Sequence, residues 1–583
     1  MSRIPSLPAM ATALAAALVL AACNEPAEAP ADASTDAATP GGQPTAPAYA
    51  SFGPAIEADD FAAHVRTLAS DEFAGRAPGS IGEEKTVAYL VDQFKRLGLE
   101  PGNGDSYLQT VPMVETTADP TTVLRLNVDG EPRELAYGDE MMIGTRTGQP
   151  EVSIEDSELV FVGYGVNAPE LGWNDYEGLD VEGKTVVMLI NDPGFHTQDA
   201  ELFEGKRMTY YGRWTYKYEE AARQGAAAAL IIHDTEGASY GWDVVKNSWS
   251  GPQFDLPAKD DPEPRLPAQG WITGEVARSL LGDLGHDLDA LYKAANQPGF
   301  EAIPLDATMS LDLDSTSVEK SSQNVVAMLP GSERPGEAVI YMGHWDHLGD
   351  HGHEGEAAAG DDSIYNGAID NATGIAGILE IAGAFVAQEP APERSVLFLA
   401  VTLEESGLLG SKYYVAHPSV PLDQTVAVIN LDAMPVIGPT ADLTVVGLGN
   451  SELEDVLKQV ADEQDRVLRA EATPESGFYF RSDHFNFAKA GVPALYAKGG
   501  TELVEGGLEA GQAAHVDYRD NRYHQPGDEF DPDWNMQGVV QDLQALYGVG
   551  RILAGNEQWP NWYEGNAFRA ARDEMMGSKP AAE

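Results

Sequence analysis

Cysteine is almost absent from this chain: 583 residues contain one, Cys23. A single thiol makes no internal disulfide and cannot build a cysteine-based zinc finger, so both of those designs are excluded. Positive charge is also scarce. Lys and Arg total 36 against 93 Asp and Glu, a formal net charge of −57. Such a chain repels phosphate backbones, which argues against nucleic acid as a partner. There are no internal repeats. What is present is ordinary core-forming material, 43% hydrophobic and 22% charged. At roughly 100–200 residues per domain the length suggests about three to five units, or fewer large ones.

Residues Leu7 to Ala22 are mostly Ala, Leu and Val, behind Arg3. The run is shorter than the ~20 apolar residues of a comfortable membrane span. It reads as an export signal over residues 1–22. The run ends Leu20-Ala21-Ala22-Cys23, which resembles the lipobox of bacterial lipoproteins. That resemblance implies cleavage before Cys23, acylation of Cys23, and a lipid anchor in the bacterial cell envelope. Asn24 in the next position implies the outer membrane, facing the periplasm. An ordinary signal peptide with an incidental cysteine is the alternative. The adjoining segment, 23–53, is rich in Ala and Pro, with Glu25, Glu28, Asp32 and Asp36 and no Lys or Arg before residue 50. It cannot bury enough apolar surface to order itself and reads as a tether.

The body divides into three stretches. In 54–120, Phe61, Val65 and Leu68 repeat at helical spacing, as do Tyr89, Leu90, Phe94 and Leu97, with Gly98 as a stop. In 121–304, short β-like runs alternate with Gly, Pro and aromatic loops, which suggests a compact insert with β-structure and few helices. In 305–575 the pattern is strand, loop, helix. Strands are expected at 338–342, 396–401, 426–431 and 443–446, and helices at 374–387, 452–464 and 536–553. Ser451 and Glu454 suit a capping box for the second of these helices. Alternating apolar strands and helices argue for an α/β fold, a mostly parallel mixed sheet flanked by helices.

Ligands of open α/β sheets bind beyond the carboxyl ends of the strands. There the sequence places His344-Trp345-Asp346, then Glu404-Glu405, then Asp432, while Asp370 lies in a loop entering a helix. His and carboxylate are the donor set of a hard or borderline divalent ion such as zinc. Each piece has a local alternative. His344 and Asp346 suit an ion pair, Thr402 with Glu405 a helix capping box, and Asp432 an N-cap or turn. Adjacent Glu404 and Glu405 at one strand end repel unless a cation or a proton offsets them.

His344-Trp345-Asp346, Gly367-Ala368-Ile369-Asp370-Asn371, Glu404 to Ser411, Asn430-Leu431-Asp432 and Tyr523 to Asp528, in this order, resemble the M28 zinc peptidases, a family of aminopeptidases and related enzymes. Gly75 to Ser80 and Arg481 to His484 are further family-like patches. The resemblance covers about residues 60–120 and 305–555. The insert, through Tyr164-Gly165 and the Gly-Ala-rich run from Gly225 to Ile232, resembles a protease-associated domain. The family implies peptide substrates and two zinc ions per chain. His344 and Asp432 would bind one ion, Glu405 and His524 the other, and Asp370 would bridge them. Asp346 would orient and polarise His344, consistent with the i, i+2 spacing of one strand face. Glu404 would carry the proton from water to the leaving amine. Tyr523 would hydrogen-bond the developing oxyanion, and Arg481 would contact substrate. His347, His351 and His353 read as a solvated loop, His484 as structural or pocket-lining, and His515 as a surface residue.

Other readings remain within the same fold: a carboxypeptidase acting on acidic peptides, or a glutaminyl cyclase. The negative total charge argues mildly against an acidic substrate, although local pocket charge can override it. A non-catalytic binding protein predicts broken ligand motifs, and none of these is broken.

Overall fold

The computed structural model describes residues 55–577 apart from 129, 262 and 351–361. The export signal, the tether, Cys23, His351 and His353 lie outside the described residues.

One strand, Ile303–Leu329, organises the molecule. Its first half alternates along the chain, burying Leu305, Ala307, Met309, Leu311 and Leu313 on one face, the period of a half-covered strand. This half pairs antiparallel with Val123–Val128 and Glu151–Phe161. Its second half pairs antiparallel with Leu108–Ala118 and Arg394–Val401. Two sheets therefore share one continuous backbone.

The larger sheet continues from Arg394–Val401 to Arg334–His344, then to Thr425–Asn430 and Ala494–Gly499, all parallel. Asp442–Val445 is antiparallel to Ala494–Gly499 and carries Val467–Ala470 at the edge. The central strands Arg394–Val401 and Thr425–Asn430 are buried at every position, as expected when helices cover both faces. Thr373–Val386 packs against this sheet. It forms part of the stretch Ala368–Val386, whose mean hydropathy reaches 1.3 and which is 89% buried. It is a core helix. A Cβ at Gly374 would stand 2.4 Å from the Leu431 carbonyl oxygen, so glycine is what lets the helix approach the strand end.

Between 121 and 304 the structure is richer in helix than the sequence suggests. Glu151–Phe161, Thr185–Leu189, Ala228–Ile232 and Ala268–Ile272 form a parallel series. It is accompanied by helices Trp214–Arg223, Trp242–Trp249, Gly274–Asp283 and Leu288–Ala295. These helices have eight to ten residues. The first opens Trp-Thr-Tyr, residues of middling helix propensity, so tertiary packing rather than local signal forms them.

Candidate metal centre and active-site cleft

Parallel pairing sets His344 opposite Val401, and Met342 opposite Asn430. Three strands thus end at one level, and the loops after them deliver His344, Glu404, Glu405 and Asp432 to one place. The fourth contribution is the turn Gly367 to Asn371. Gly367 has φ +52, and a Cβ there would meet the His347 ring at 2.5 Å, so the turn demands glycine. Asp528 fastens this turn: its carboxylate accepts the N–H groups of Ile369 and Asp370 at 3.0 Å each. Arg76, 1% exposed, donates to the carbonyls of Trp345 (2.9 Å), Asn366 (2.6 Å) and Gly367 (2.9 Å). One guanidinium therefore ties two ligand-bearing loops together.

Asp370 sits centrally. One carboxylate oxygen is 3.3 Å from His344 Nε2 and the other 3.3 Å from His524 Nε2. His344 Nε2 is 3.7 Å from Asp432, and His524 Nε2 is 3.1 Å from Glu405. Donor atoms of His344, Asp370 and Asp432 lie within 4.8 Å of one another, as do those of His344, Glu404 and Glu405. Ser482 Oγ donates to the second Asp432 oxygen at 2.5 Å. Glu405 faces histidines and Thr402 Oγ1 pairs with Ser322 Oγ, so Thr402 and Glu405 make no capping box; the next helix, Leu409–Ala416, starts further on. The Ser451–Glu454 box is half realised: Glu454 accepts the Ser451 N–H, while the helix Leu453–Glu463 has Glu452, not Ser451, as its N-cap and no side-chain cap.

Two histidines and three carboxylates suit divalent ions of the zinc type, and the charge balance of the pocket agrees. Asp346, Asp370, Glu404, Glu405, Asp432 and Asp483 crowd together, while Arg76 and Lys498 direct their donors at backbone carbonyls and the Tyr496 hydroxyl. Burial alone would lower both histidine pKa values. Instead Glu404, Asp370 and Asp432 drive His344 far above 6.5, and Glu405 with Asp370 raises His524 to about 10. Carboxylates gathered without a Lys or Arg ion pair among the described residues mark a pocket short of positive charge, which metal cations would supply.

Asp346 sits beside His344 in an unexpected way. Its carbonyl oxygen is 3.1 Å from His344 Nδ1, whereas its carboxylate is 3.8 Å away. The carboxylate instead accepts the Glu404 N–H at 3.2 Å, so it positions Glu404 as much as His344. Tyr523 stacks on His524, centroids 4.0 Å apart, and lines the same cleft as Glu404, Glu405 and Arg481. Three histidines need comment. His347 does not belong to a solvated loop: it is 1% exposed, with Nδ1 2.6 Å from Glu405. His484 is buried behind Asp432 between Tyr479 and Tyr496. His515 is half-buried, its ring nitrogen 3.4 Å from the Gly500 carbonyl, rather than a free surface residue. The sequence alone assigns no role to His347, Arg76, Asp528 or Ser482. Their partners are backbone groups or other ligands; Asp528, Arg76 and Ser482 fall inside the family-like patches and His347 directly follows one, but nothing in the sequence says what they touch.

The centre opens into a cleft of about 530 Å³. The larger sheet supplies one wall; Arg213, Trp214, Tyr218 and Trp249 of the insert supply the other.

Residues 324–547 match the model of Peptidase family M28. The chain is 25% identical over 471 residues to a protein named probable leucine aminopeptidase 2 from Aspergillus oryzae, covering 78% of this chain and 75% of that one. Among solved structures, an aminopeptidase from Aneurinibacillus sp. strain AM-1 is 21% identical with a TM-score of 0.47, covering 86% of this chain and 95% of that one. A zinc aminopeptidase from Bacillus subtilis is 17% identical with a TM-score of 0.39, covering 88% and 98%.

Proposed function

We propose that this chain is a metallopeptidase of family M28, whose model its residues 324–547 match, and specifically a dinuclear zinc aminopeptidase, exported and lipid-anchored at Cys23 in the bacterial envelope. The observation that carries this reading is the convergence of His344, His524, Glu405 and Asp432 around Asp370 with Glu404 alongside. His344 and Asp432 would hold one ion and Glu405 and His524 the other, with Asp370 between the two histidines placed to serve both. Bound there, zinc supplies Lewis acidity that makes water more acidic and polarises a carbonyl.

The protein's own groups do the rest. Burial raises the Glu404 pKa well above the usual carboxylate range; Glu405, Asp432 and Asp483 add to this and His344 opposes it. The place of Glu404 beside the ligand carboxylates, with its N–H held by Asp346, suits it to the role of general base. It takes a proton from the attacking water as the water oxygen bonds to the carbonyl carbon. It returns that proton to the amine nitrogen as the C–N bond breaks. Asp346, holding the Glu404 N–H, fixes the base in place. Tyr523 offers its hydroxyl to the carbonyl oxygen as negative charge develops there. The aminopeptidase direction is supported by the name of the Aspergillus oryzae relative, and the anchor by the sequence around Cys23.

The test is hydrolysis of a leucyl anilide and of one unblocked peptide, before and after chelation. Release of the first residue, lost on chelation and restored by zinc, is expected. Full activity after complete metal removal contradicts the reading. A shortened C-terminus or a cyclised N-terminal Gln would replace it with carboxypeptidase or cyclase action.

A further inference from the structure

Acids outnumber bases 93 to 36 in this chain, so a cation without an acidic partner is unexpected. In the active-site cleft, four cations are paired. Arg146 meets Asp255 at 3.2 Å, Arg265 meets Asp261 at 2.6 Å, Lys412 meets Asp261 at 2.8 Å, and Lys489 meets Glu219 at 2.9 Å. Arg213 and Arg481 line the same cleft and differ. Among the described residues neither guanidinium has a carboxylate or a hydrogen-bond acceptor, and the Nε of each is buried and unsatisfied. Arg213 is only 9% exposed.

The two come from different parts of the chain. Arg213 directly precedes the insert's helix Trp214–Arg223, and Arg481 comes just after the turn Phe478–Phe480. They nevertheless feel each other: burial first, and then the Arg481 charge, lowers the Arg213 pKa to about 9. Their surroundings are aromatic. Arg481 lies over the Phe478 ring at 5.5 Å, and the Tyr240 hydroxyl is close enough to influence Arg213. A buried guanidinium beside a half-buried one of like charge, each with an unsatisfied buried Nε, is costly on its own. Facing a cleft, they form a receptor for an anion, and guanidinium geometry matches a carboxylate.

We propose that Arg213 and Arg481 together bind a carboxylate of the substrate, so that the insert completes a specificity site for peptides carrying a negative charge near the scissile bond. The inference rests on the peptidase reading and adds a substrate class to it. Two sources supply the same chemistry: the C-terminal carboxylate of a di- or tripeptide, or an acidic side chain.

The experiment measures kcat/KM of the zinc-loaded full chain on Leu-Gly against Leu-Gly amide, and on Leu-Glu amide against Leu-Gln amide. A charge-assisted contact in a desolvated cleft gives a preference of about 10- to 100-fold for the charged member of at least one pair. A preference in the first pair assigns the terminal carboxylate, and one in the second assigns the side chain. In Arg213→Gln and Arg481→Gln that ratio falls toward one, and Arg481→Lys retains part of it. Wild-type ratios near one in both pairs overturn the proposal, as does a ratio unchanged in both variants. The wild-type ratios need no variant to fold. Cleavage of the amides without preference defeats only this inference, whereas no cleavage of any peptide defeats the peptidase reading beneath it.

Discussion

Each of the two sheets gathers buried acids, and they neutralise them differently. In the insert, Asp175 and Asp192 both feel the charge of Lys217, which is fully buried, donates to the Tyr164 carbonyl at 2.6 Å and has no direct ion pair to either acid. Burial pushes both acids up to about 7 and Lys217 down to about 7, while each partner's charge pulls the other way. Asp192 also accepts the N–H and hydroxyl of Thr209 at 2.8 and 2.7 Å. This cluster carries its own cation and holds a loop in place. In the larger sheet, Asp370, Glu404, Glu405 and Asp432 have histidines but no Lys or Arg ion pair among the described residues. The first cluster is a closed structural unit. The second is left in deficit, and that deficit is what makes it a candidate metal centre.

The comparison can be broken at either end. The largest effect is expected from Glu404→Gln, which removes the base while keeping the shape. Turnover should fall about 100- to 10,000-fold with metal content unchanged, measured by initial rates and elemental analysis on one preparation. Next is Lys217→Met. Removing the insert's own cation leaves the Tyr164 carbonyl without its donor and two acids buried without that charge, and the loss should be about 1–3 kcal/mol of stability by urea unfolding. An unchanged midpoint would mean that the acids are neutral and that the contrast between the clusters is false. Arg76→Lys keeps the charge but loses the fork that joins the loops at Trp345 and Gly367. A loss of about 10- to 100-fold in metal affinity or activity is expected.

The smallest effect concerns pH. Glu380, on the core helix, is pushed up from 4.5 to about 8 by burial, beside His64 at 3.7 Å. Its folded pKa lies above its unfolded value, so its favourable contribution is complete below about pH 4.5 and is lost as pH rises through about 8. Glu380→Gln, which mimics the protonated acid, should therefore stabilise by about 1–2 kcal/mol at pH 9 and by much less at pH 5. Melting curves at the two pH values decide it; an equal shift at both would show that ionisation is not involved.

Much of the catalytic sheet is legible in the sequence because its strands are short apolar runs with chemistry at their ends. The expected strands at 338–342, 396–401 and 426–431 lie within or one residue beyond the observed ones, and the expected core helix agrees to one residue at each end. Most residues with candidate metal roles stand just past the end of an apolar strand, where the sequence alone exposes them. His347 escapes, because it precedes an acid- and His-rich run that reads as solvated, and its burial comes from packing against Glu405. The helix Gly507–Asn521 is not among the helices expected from the sequence because it has almost no buried face, with only Gly511 buried, and so lacks amphipathic periodicity. The insert's short aromatic helices escape for a related reason: they are stabilised by the parallel strands beneath them. Arg213 illustrates the limit most clearly. Nothing in Gly212-Arg213-Trp214 separates a surface arginine from one aimed into a cleft formed by residues hundreds of positions away.

The central claim is that the acids of the larger sheet are balanced by two metal ions. Titrating metal-free protein with zinc while monitoring both bound metal and peptide hydrolysis tests it directly. Two equivalents bound per chain, full activity only when both are present, and loss of both in Asp370→Asn are the predicted result. Saturation at one equivalent, or binding in Asp370→Asn equal to that of the unaltered protein, would contradict it.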